Sequence, residues 1–94
     1  MDITRIQHAI AQLRIPWEIQ DKGKVMKHTF TLKDFTETMQ LVNAIANCAQ
    51  QLDHHPDMHV SYNAVTVELS THATGDISEK DIELAQCIEK IPLS

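Results

Sequence analysis

Glycine and long apolar runs are scarce in this sequence, and each scarcity excludes a class of protein. The only glycines are Gly23 and Gly75, so the chain has no glycine-rich loop of the kind that cradles phosphate groups. No apolar stretch reaches the length of a secretory signal or of a membrane span, so we expect neither a signal peptide nor an association with membranes. The expected location is the cytoplasm.

Basic residues are also few. The chain has 8 Lys and Arg against 13 Asp and Glu, which gives a formal net charge of −5 at pH 7. Nucleic-acid affinity depends mostly on neutralising backbone phosphates with basic side chains, so this balance argues against direct nucleic-acid binding. Any nucleic-acid role is expected to be indirect, through another protein.

The only two cysteines, Cys48 and Cys87, lie among Ile, Ala and Leu in helix-like segments. This setting favours buried free thiols in a reducing compartment, with a disulfide between the two residues as the less favoured alternative. Neither residue lies in a loop that would expose a reactive thiol, so a cysteine nucleophile is not expected.

At 94 residues, of which 43% are apolar, the chain is expected to form one small folded domain over residues 1–94. It contains no internal repeat, linker or low-complexity segment. A domain of this size leaves much of its surface in contact with water, and oligomerisation is one way to bury more apolar area. An uncovered edge strand would offer a place for a second copy to pair.

Hydrophobic periodicity predicts seven elements in the order αββαββα. They are a helix over 2–13, strands over 17–21 and 25–32, a helix from 34 to about 53–55, strands over 58–62 and 65–71, and a helix that begins at a capping box over 78–81 and ends at Pro92. Such an order predicts an α+β fold, with a four-stranded antiparallel sheet and the helices packed on one face. The face of the long helix expected to pack comprises Phe35, Met39, Val42, Ile45, Ala46, Ala49 and Leu52.

The segment Asp53-His54-His55-Pro56 is the most informative local feature of the sequence. Pro56 disfavours helical geometry at His55, so the long helix must end there and the two imidazoles are held at the start of a loop. Together with His72, which ends a strand-like run, they would suit proton transfer, since the unperturbed pKa of histidine is roughly 6.5. An alternative stays open, in which the histidine pair only complements the negative end of the helix dipole.

A zinc site is the obvious competitor, because three histidines can bind one ion. His55 and His59 have the ligand spacing of a helix, but Pro56 and the following strand break that geometry, and we expect no metal. Of the other two histidines, His8 is expected to be solvated. His28 is expected to pack at the edge of the core. We assign no function to them or to His59.

Several stretches resemble the pterin-4a-carbinolamine dehydratase family in order and spacing. The matching stretches are Trp17, Phe30–Phe35, Asp53–Pro56, Tyr62, Leu69–His72 and Asp81–Ala85. Two separate histidine motifs at the separation found in the family make the resemblance specific. It implies an αββαββα fold, dimers that join their sheets edge to edge and often pair again as tetramers, and chemistry without a metal or cofactor.

The resemblance also implies a reaction, the dehydration of 4a-hydroxytetrahydrobiopterin to quinonoid dihydropterin. This step supports recycling of the tetrahydrobiopterin used by aromatic amino acid hydroxylases. The implied catalytic residues are His54 and His72, which would transfer protons on the two faces of the pterin, and His55, which would position the substrate. The implied substrate-binding residues are Asp53, Ser70 and Thr71.

The sequence departs from the family pattern at Gln50, where an acidic residue is usual. Because an amide carries no charge, we expect this departure to weaken catalysis rather than to abolish it. The alternative function is a non-catalytic interaction module on the same scaffold, acting as a transcriptional coactivator or an assembly factor. Such a module has no physical need for three histidines, which favours the enzyme.

Overall fold

The computed structural model describes residues 1–92 of the chain. Its seven main elements are α1 (Ile3–Ala11), β1 (Glu18–Gln20), β2 (Val25–Thr31), α2 (Phe35–Leu52), β3 (Asp57–Ser61), β4 (Ala64–Leu69) and α3 (Glu79–Glu89). The predicted order and the α+β class are confirmed, with a short 3-10 turn over Asp21–Gly23 between β1 and β2. Within residues 1–92, no helix is long and apolar enough to cross a membrane.

The four strands form one antiparallel sheet in the order β1-β2-β4-β3. The two central strands, β2 and β4, are in a register that pairs Met26 with Leu69, and both of these side chains are fully buried. Side chains alternate between the faces of a strand, so the neighbouring pairs lie on the opposite face. There the hydroxyls of Thr29 and Thr66 are 2.9 Å apart and exposed. The helices pack on the apolar face.

The connection between β1 and β2 is tight and requires an unusual backbone. Asp21, Lys22 and Gly23 have φ angles of 53°, 56° and 92°. A Cβ atom at Gly23 would come within 3.3 Å of Cδ1 of Ile3 on α1. Glycine therefore provides the left-handed geometry and also the space for α1 to approach the hairpin.

The helices begin at polar residues that satisfy otherwise unpaired backbone N–H groups. The carboxylate of Asp2 accepts the N–H of Arg5 at 2.9 Å, and that of Asp34 accepts the N–H of Glu37 at 2.9 Å. α3 begins at Ser78 with the predicted capping box. Local sequence therefore determines where each helix starts.

The buried face of α2 differs in part from the predicted one. Its buried residues are Thr38, Leu41, Ile45, Cys48 and Ala49. Ile45 and Ala49 are confirmed, but Phe35 is 50% exposed, because α2 has apolar side chains on more than one side. Thr38 is accommodated in the core because its hydroxyl lies 2.9 Å from the carbonyl oxygen of Asp34 and 3.1 Å from that of Tyr62.

The prediction of free thiols is wrong, since a disulfide joins Cys48 of α2 to Cys87 of α3. Their Cα atoms are 5.9 Å apart, which is an ordinary spacing for such a bond. The two residues are separated by 39 positions, and hydrophobic periodicity gives no information on which helix faces meet. The bond removes the thiol-based support for a reducing compartment, so the cytoplasmic location stays a prediction.

Reduction of the Cys48–Cys87 bond is expected to destabilise the fold. For a loop of this length, restriction of the unfolded chain contributes about 2–4 kcal/mol to the free energy of unfolding. Urea unfolding of the wild type with and without dithiothreitol measures the loss. A Cys48→Ser/Cys87→Ser variant should match the reduced wild type and should not respond to the reductant. Equal stabilities of the oxidised and reduced wild type would contradict the prediction.

His28 is packed at the edge of the core, as predicted. Its ring centroid lies 4.7 Å from that of Phe30 and 5.9 Å from that of Trp17, with both rings edge-on. Burial lowers the pKa of His28 from its ordinary value of 6.5, against the opposing effects of a hydrogen bond to the backbone of Pro16 and the charge of Glu18. The folded state therefore favours the neutral imidazole.

This pKa difference predicts a contribution of His28 to the pH dependence of stability. Just below pH 6.5 the unfolded state binds more protons at this residue than the folded state does. Stability should fall as the pH decreases from 6.5 until the ring is protonated in both states. Urea unfolding across this range should show a smaller acid-side loss in His28→Gln than in the wild type. His8→Gln, at an exposed position on α1, is the control and should keep the wild-type slope; an unchanged slope in His28→Gln would refute the prediction.

Candidate functional site

The long helix ends where the sequence predicted, and its end positions the histidine pair. Asp53 adopts the left-handed conformation, with φ 50° and ψ 45°, which ends α2. The N–H of His54 then donates to the carbonyl oxygen of Ala49 at 3.0 Å, a pattern typical of helix C-termini. The side chain of His54 is largely buried, whereas His55 is exposed. The two neighbouring imidazoles therefore lie in different environments.

His54 contacts a buried carboxylate on another helix. Its Nε2 atom lies 2.6 Å from Oδ1 of Asp81, which is in the first turn of α3. The side chain of Asp81 is fully buried and that of His54 is 12% exposed. The contact brings the C-terminal end of α2 to the N-terminal end of α3.

The second oxygen of Asp81 has two further partners. The hydroxyl of Thr71 donates to Oδ2 at 2.8 Å, and the backbone N–H of Ser78 donates to the same atom at 2.9 Å. An ionised carboxylate only accepts hydrogen bonds, so His54 must also donate, from Nε2. Its Nδ1 atom is then the ring nitrogen left to accept or release a proton.

His55 has a separate partner within α2. Its Nε2 atom lies 2.8 Å from Oε1 of Gln50, in the last turn of the helix. The amide oxygen accepts, so His55 donates from Nε2. Gln50 thus orients the ring of His55 through a neutral hydrogen bond, at the position where an acidic residue was expected.

His72 lies on the loop that leads from β4 to α3. The preceding residue, Thr71, closes this loop, because its N–H donates to the carbonyl oxygen of Asp76 at 3.0 Å and its own carbonyl oxygen accepts the N–H of Gly75 at 2.8 Å. His72 itself is exposed. Asp81 therefore connects His54 to the residue adjacent to His72, so the structure brings the segments of the two histidines together.

The other proposed site residues differ in their surroundings. Asp53 is exposed at the end of α2 and Ser70 is half-buried after β4. The network around Asp81 does not include either side chain, but it includes Thr71. Within residues 1–92, no group of three or more His, Cys, Asp or Glu side chains is arranged to hold a metal ion.

Asp81 is the site residue that sequence reasoning missed. Its spacing from Ser78 predicted a capping box, and that role is confirmed. A cap needs only the exposed first turn of a helix, however, whereas Asp81 is fully buried beside Ile82 and Leu84. The sequence feature that could have indicated a buried carboxylate is the position of this acidic residue next to the apolar residues of α3.

The proposed site residues lie outside the cavity formed beside the long helix. That cavity, of about 200 Å³, is lined by Leu32, by residues of α2 and by the segment after α3: Glu37, Gln40, Leu41, Ala44, Ile91 and Pro92. None of the proposed site residues lines it. His55 and His72 are both exposed to solvent.

Comparison with known proteins shows the family of this chain. The family model described as pterin 4 alpha carbinolamine dehydratase matches residues 1–91. The chain belongs to this family. A Sulfolobus acidocaldarius protein provisionally named as a member is 50% identical over 66 residues, which cover 70% of this chain and 72% of that protein. A similarly named protein of Legionella pneumophila strain Philadelphia 1 is 38% identical over 87 residues, covering 93% and 77%. The family name denotes a lyase that removes water.

Two solved structures are similar to this dehydratase-family chain. A transcriptional coactivator/pterin dehydratase from Brucella melitensis has a TM-score of 0.86 and 30% identity, covering 94% of this chain and 93% of that one. A pterin dehydratase-like protein identified as a RuBisCO assembly factor in the alpha-carboxysome has a TM-score of 0.66 and 18% identity, covering 78% and 84%. The second similarity shows a shared fold.

Removing the charge of Asp81 is expected to destabilise the domain. In Asp81→Asn, one carboxylate oxygen is replaced by an NH2 group, which is a donor facing a group that donates in the wild type. One buried hydrogen bond is then lost, so the free energy of unfolding should fall by about 1–3 kcal/mol. Urea unfolding measures the change. Glu83→Gln, an equivalent charge removal at an exposed position of α3, should be near neutral. Equal stabilities of the two variants would contradict the importance assigned to the buried network.

Proposed function

We propose that the protein removes water from 4a-hydroxytetrahydrobiopterin to give quinonoid dihydropterin, by histidine acid-base catalysis. Membership of the dehydratase family supports the reaction class. The observation that carries the mechanism is the 2.6 Å contact between His54 and buried Asp81, because it fixes one ring nitrogen and leaves the other for chemistry.

The reaction requires two proton transfers and no change of oxidation state. A base takes the proton from N5 of the pterin, the N5–C4a double bond forms, and the C4a–O bond breaks. An acid protonates the departing hydroxyl so that it leaves as water. Imidazole can serve as either group near neutral pH, and a positioned group of this kind contributes about 10²- to 10⁴-fold to the rate.

In this proposal, His54 and His72 are the proton-transfer residues. Asp81 orients the ring of His54, as a buried carboxylate does for histidine in other acid-base sites. His72, on the exposed loop after Thr71, approaches the pterin from the other side. His55, held by Gln50, orients the substrate.

The first test is the decay of freshly generated 4a-hydroxytetrahydropterin. We expect fast decay with the wild type and a rate near the spontaneous one with the His54→Ala/His72→Ala variant. His8→Ala, which removes an exposed histidine from α1, should retain the wild-type rate. The enzyme proposal would be contradicted if decay with the wild type were no faster than the spontaneous reaction.

The neutral partner of His55 leads to a second prediction. In Gln50→Glu a carboxylate would replace the amide oxygen at this position and favour the protonated form of His55. We expect a modestly higher turnover rate and a pH profile displaced towards alkaline pH, measured with the same decay assay. Gln51→Glu adds the same charge at an exposed neighbouring position and should leave the profile unchanged. An unaltered rate and profile in Gln50→Glu would show that the departure at this position is irrelevant.

A non-catalytic interaction role is the second candidate, and two observations favour it. The two similar solved structures are those of a transcriptional coactivator/pterin dehydratase and of a RuBisCO assembly factor. The edge strand β3 also carries exposed Val60, followed by Tyr62, which is 67% exposed. A second copy could pair with this edge in a homodimer or homotetramer. In that role the histidines would be dispensable, so the decay assay separates the two candidates.

A further inference from the structure

We propose that Thr71 is a positioning residue that couples His54 to the loop carrying His72. The inference rests on the dehydratase function proposed above, in which both histidines transfer protons. Thr71 directly precedes His72, and its hydroxyl contacts the carboxylate that holds His54. Thr71 was first expected to line the substrate pocket, so this is a different role for it.

The proton count of the network determines the direction of each hydrogen bond. The single hydroxyl proton of Thr71 is donated to Oδ2 of Asp81 at 2.8 Å. The hydroxyl oxygen of Ser78 lies 2.5 Å from that of Thr71, so Ser78 must be the donor in this second bond. The hydroxyl of Thr71 thus donates to one protein group and accepts from another. Its hydrogen-bonding capacity is directed at the protein rather than at a substrate.

The backbone of Thr71 organises the other half of the site. Its N–H and C=O groups bond to Asp76 and Gly75, which close the loop between β4 and α3 around His72. Rotation about χ1 is restricted in a β-branched side chain, so the hydroxyl and this backbone move together. A shift of the loop would therefore be transmitted to Asp81 and from there to the ring of His54.

Loss of the hydroxyl alone should release this coupling. Without it, Oδ2 of Asp81 retains only the N–H of Ser78, and the hydroxyl of Ser78 loses its acceptor. The carboxylate can then rotate, and His54 is no longer restricted to one ring orientation and one tautomer. Misplacement of a catalytic group by about 1 Å can reduce a rate by roughly 100-fold.

The test uses four variants. Thr71→Val keeps the shape of the side chain and removes the hydroxyl, and Thr71→Ser restores the hydroxyl on a smaller side chain. Thr66→Val removes a hydroxyl that bonds to Thr29 on the outer face of the sheet, and serves as the matched control. Ser78→Ala removes the donor to Thr71 together with the hydroxyl that caps α3, and leaves the bond from Thr71 to Asp81 in place. It should give a smaller effect on the His54 ring in the same direction as Thr71→Val.

The first readout is the nitrogen NMR spectrum of the His54 ring, recorded without substrate at alkaline pH on the ¹⁵N-labelled protein. We expect the wild type, Thr71→Ser and Thr66→Val to show a single Nε2–H tautomer, and Thr71→Val to show a mixture. A His54 spectrum in Thr71→Val identical to that of the wild type would overturn the proposal. Because no turnover is needed, this result is independent of whether the proposed reaction occurs.

The second readout is the decay assay, with kcat and KM measured separately. Thr71→Val should lower kcat by about 10- to 100-fold with KM changed by less than about 2-fold, and Thr71→Ser should restore most of kcat. A raised KM with an unchanged kcat would mean that Thr71 binds the substrate directly, and would overturn the positioning role. If the wild type has no activity, the proposed function fails, and the ring spectrum still decides whether Thr71 holds His54.

Discussion

The buried carboxylate of Asp81 is the group on which the candidate site depends. It accepts hydrogen bonds from His54 after α2, from Thr71 after β4 and from the backbone of Ser78 before α3. His54 is 27 positions from Asp81 in the sequence, whereas Thr71 and Ser78 are ten and three positions away, and each segment contributes one donor to one side chain. Because an ionised carboxylate has no donor of its own, it also determines the direction of every bond that it makes. One residue thereby fixes both the assembly of the site and the tautomer of His54.

The same two helices are joined at a second point. Cys48 lies six positions before His54, and Cys87 lies six positions after Asp81, as their numbers show. With a rise of about 1.5 Å per residue, the disulfide and the His54–Asp81 hydrogen bond are roughly 9 Å apart along the helices, which run antiparallel. A disulfide and a hydrogen bond at this spacing together restrict both the sliding of α2 along α3 and the separation of the two helices. The apolar contacts of the core alone would restrain these motions less sharply, since they are not directional.

Most of the fold could be predicted from the sequence, because its signals are local. Asp2, Asp34 and Ser78 mark helix starts, Gly23 marks the hairpin turn, and Pro56 ends the long helix. The order αββαββα follows from these positions and from hydrophobic periodicity. The two incorrect predictions, the burial of Phe35 and the free thiols of Cys48 and Cys87, both concern how elements pack against each other. Periodicity shows that α2 has an apolar side but not which neighbour covers it, so Phe35 was wrongly placed in the core.

The site was predictable to the same extent and for the same reason. The motif over residues 53–56 placed His54 and His55 at a helix end, which is confirmed. Asp81 could not be assigned to His54, because their pairing depends on how α2 meets α3, across 27 positions. The disulfide between Cys48 and Cys87 was missed for the same reason. Local rules find the residues that can act, and tertiary packing decides which of them act together.

The energetics of the buried network favour a functional reason for it. Replacing a buried ion pair by apolar residues of similar volume is often neutral or stabilising, so a fold of this type does not need a carboxylate at Asp81. The capping role could be served at an exposed position, and the similar fold of the assembly factor, at 18% identity, shows how far sequence can vary on this scaffold. What the carboxylate provides, and an apolar side chain cannot, is a fixed orientation and tautomer for His54. An interaction surface gains nothing from a defined histidine tautomer, whereas proton transfer requires one.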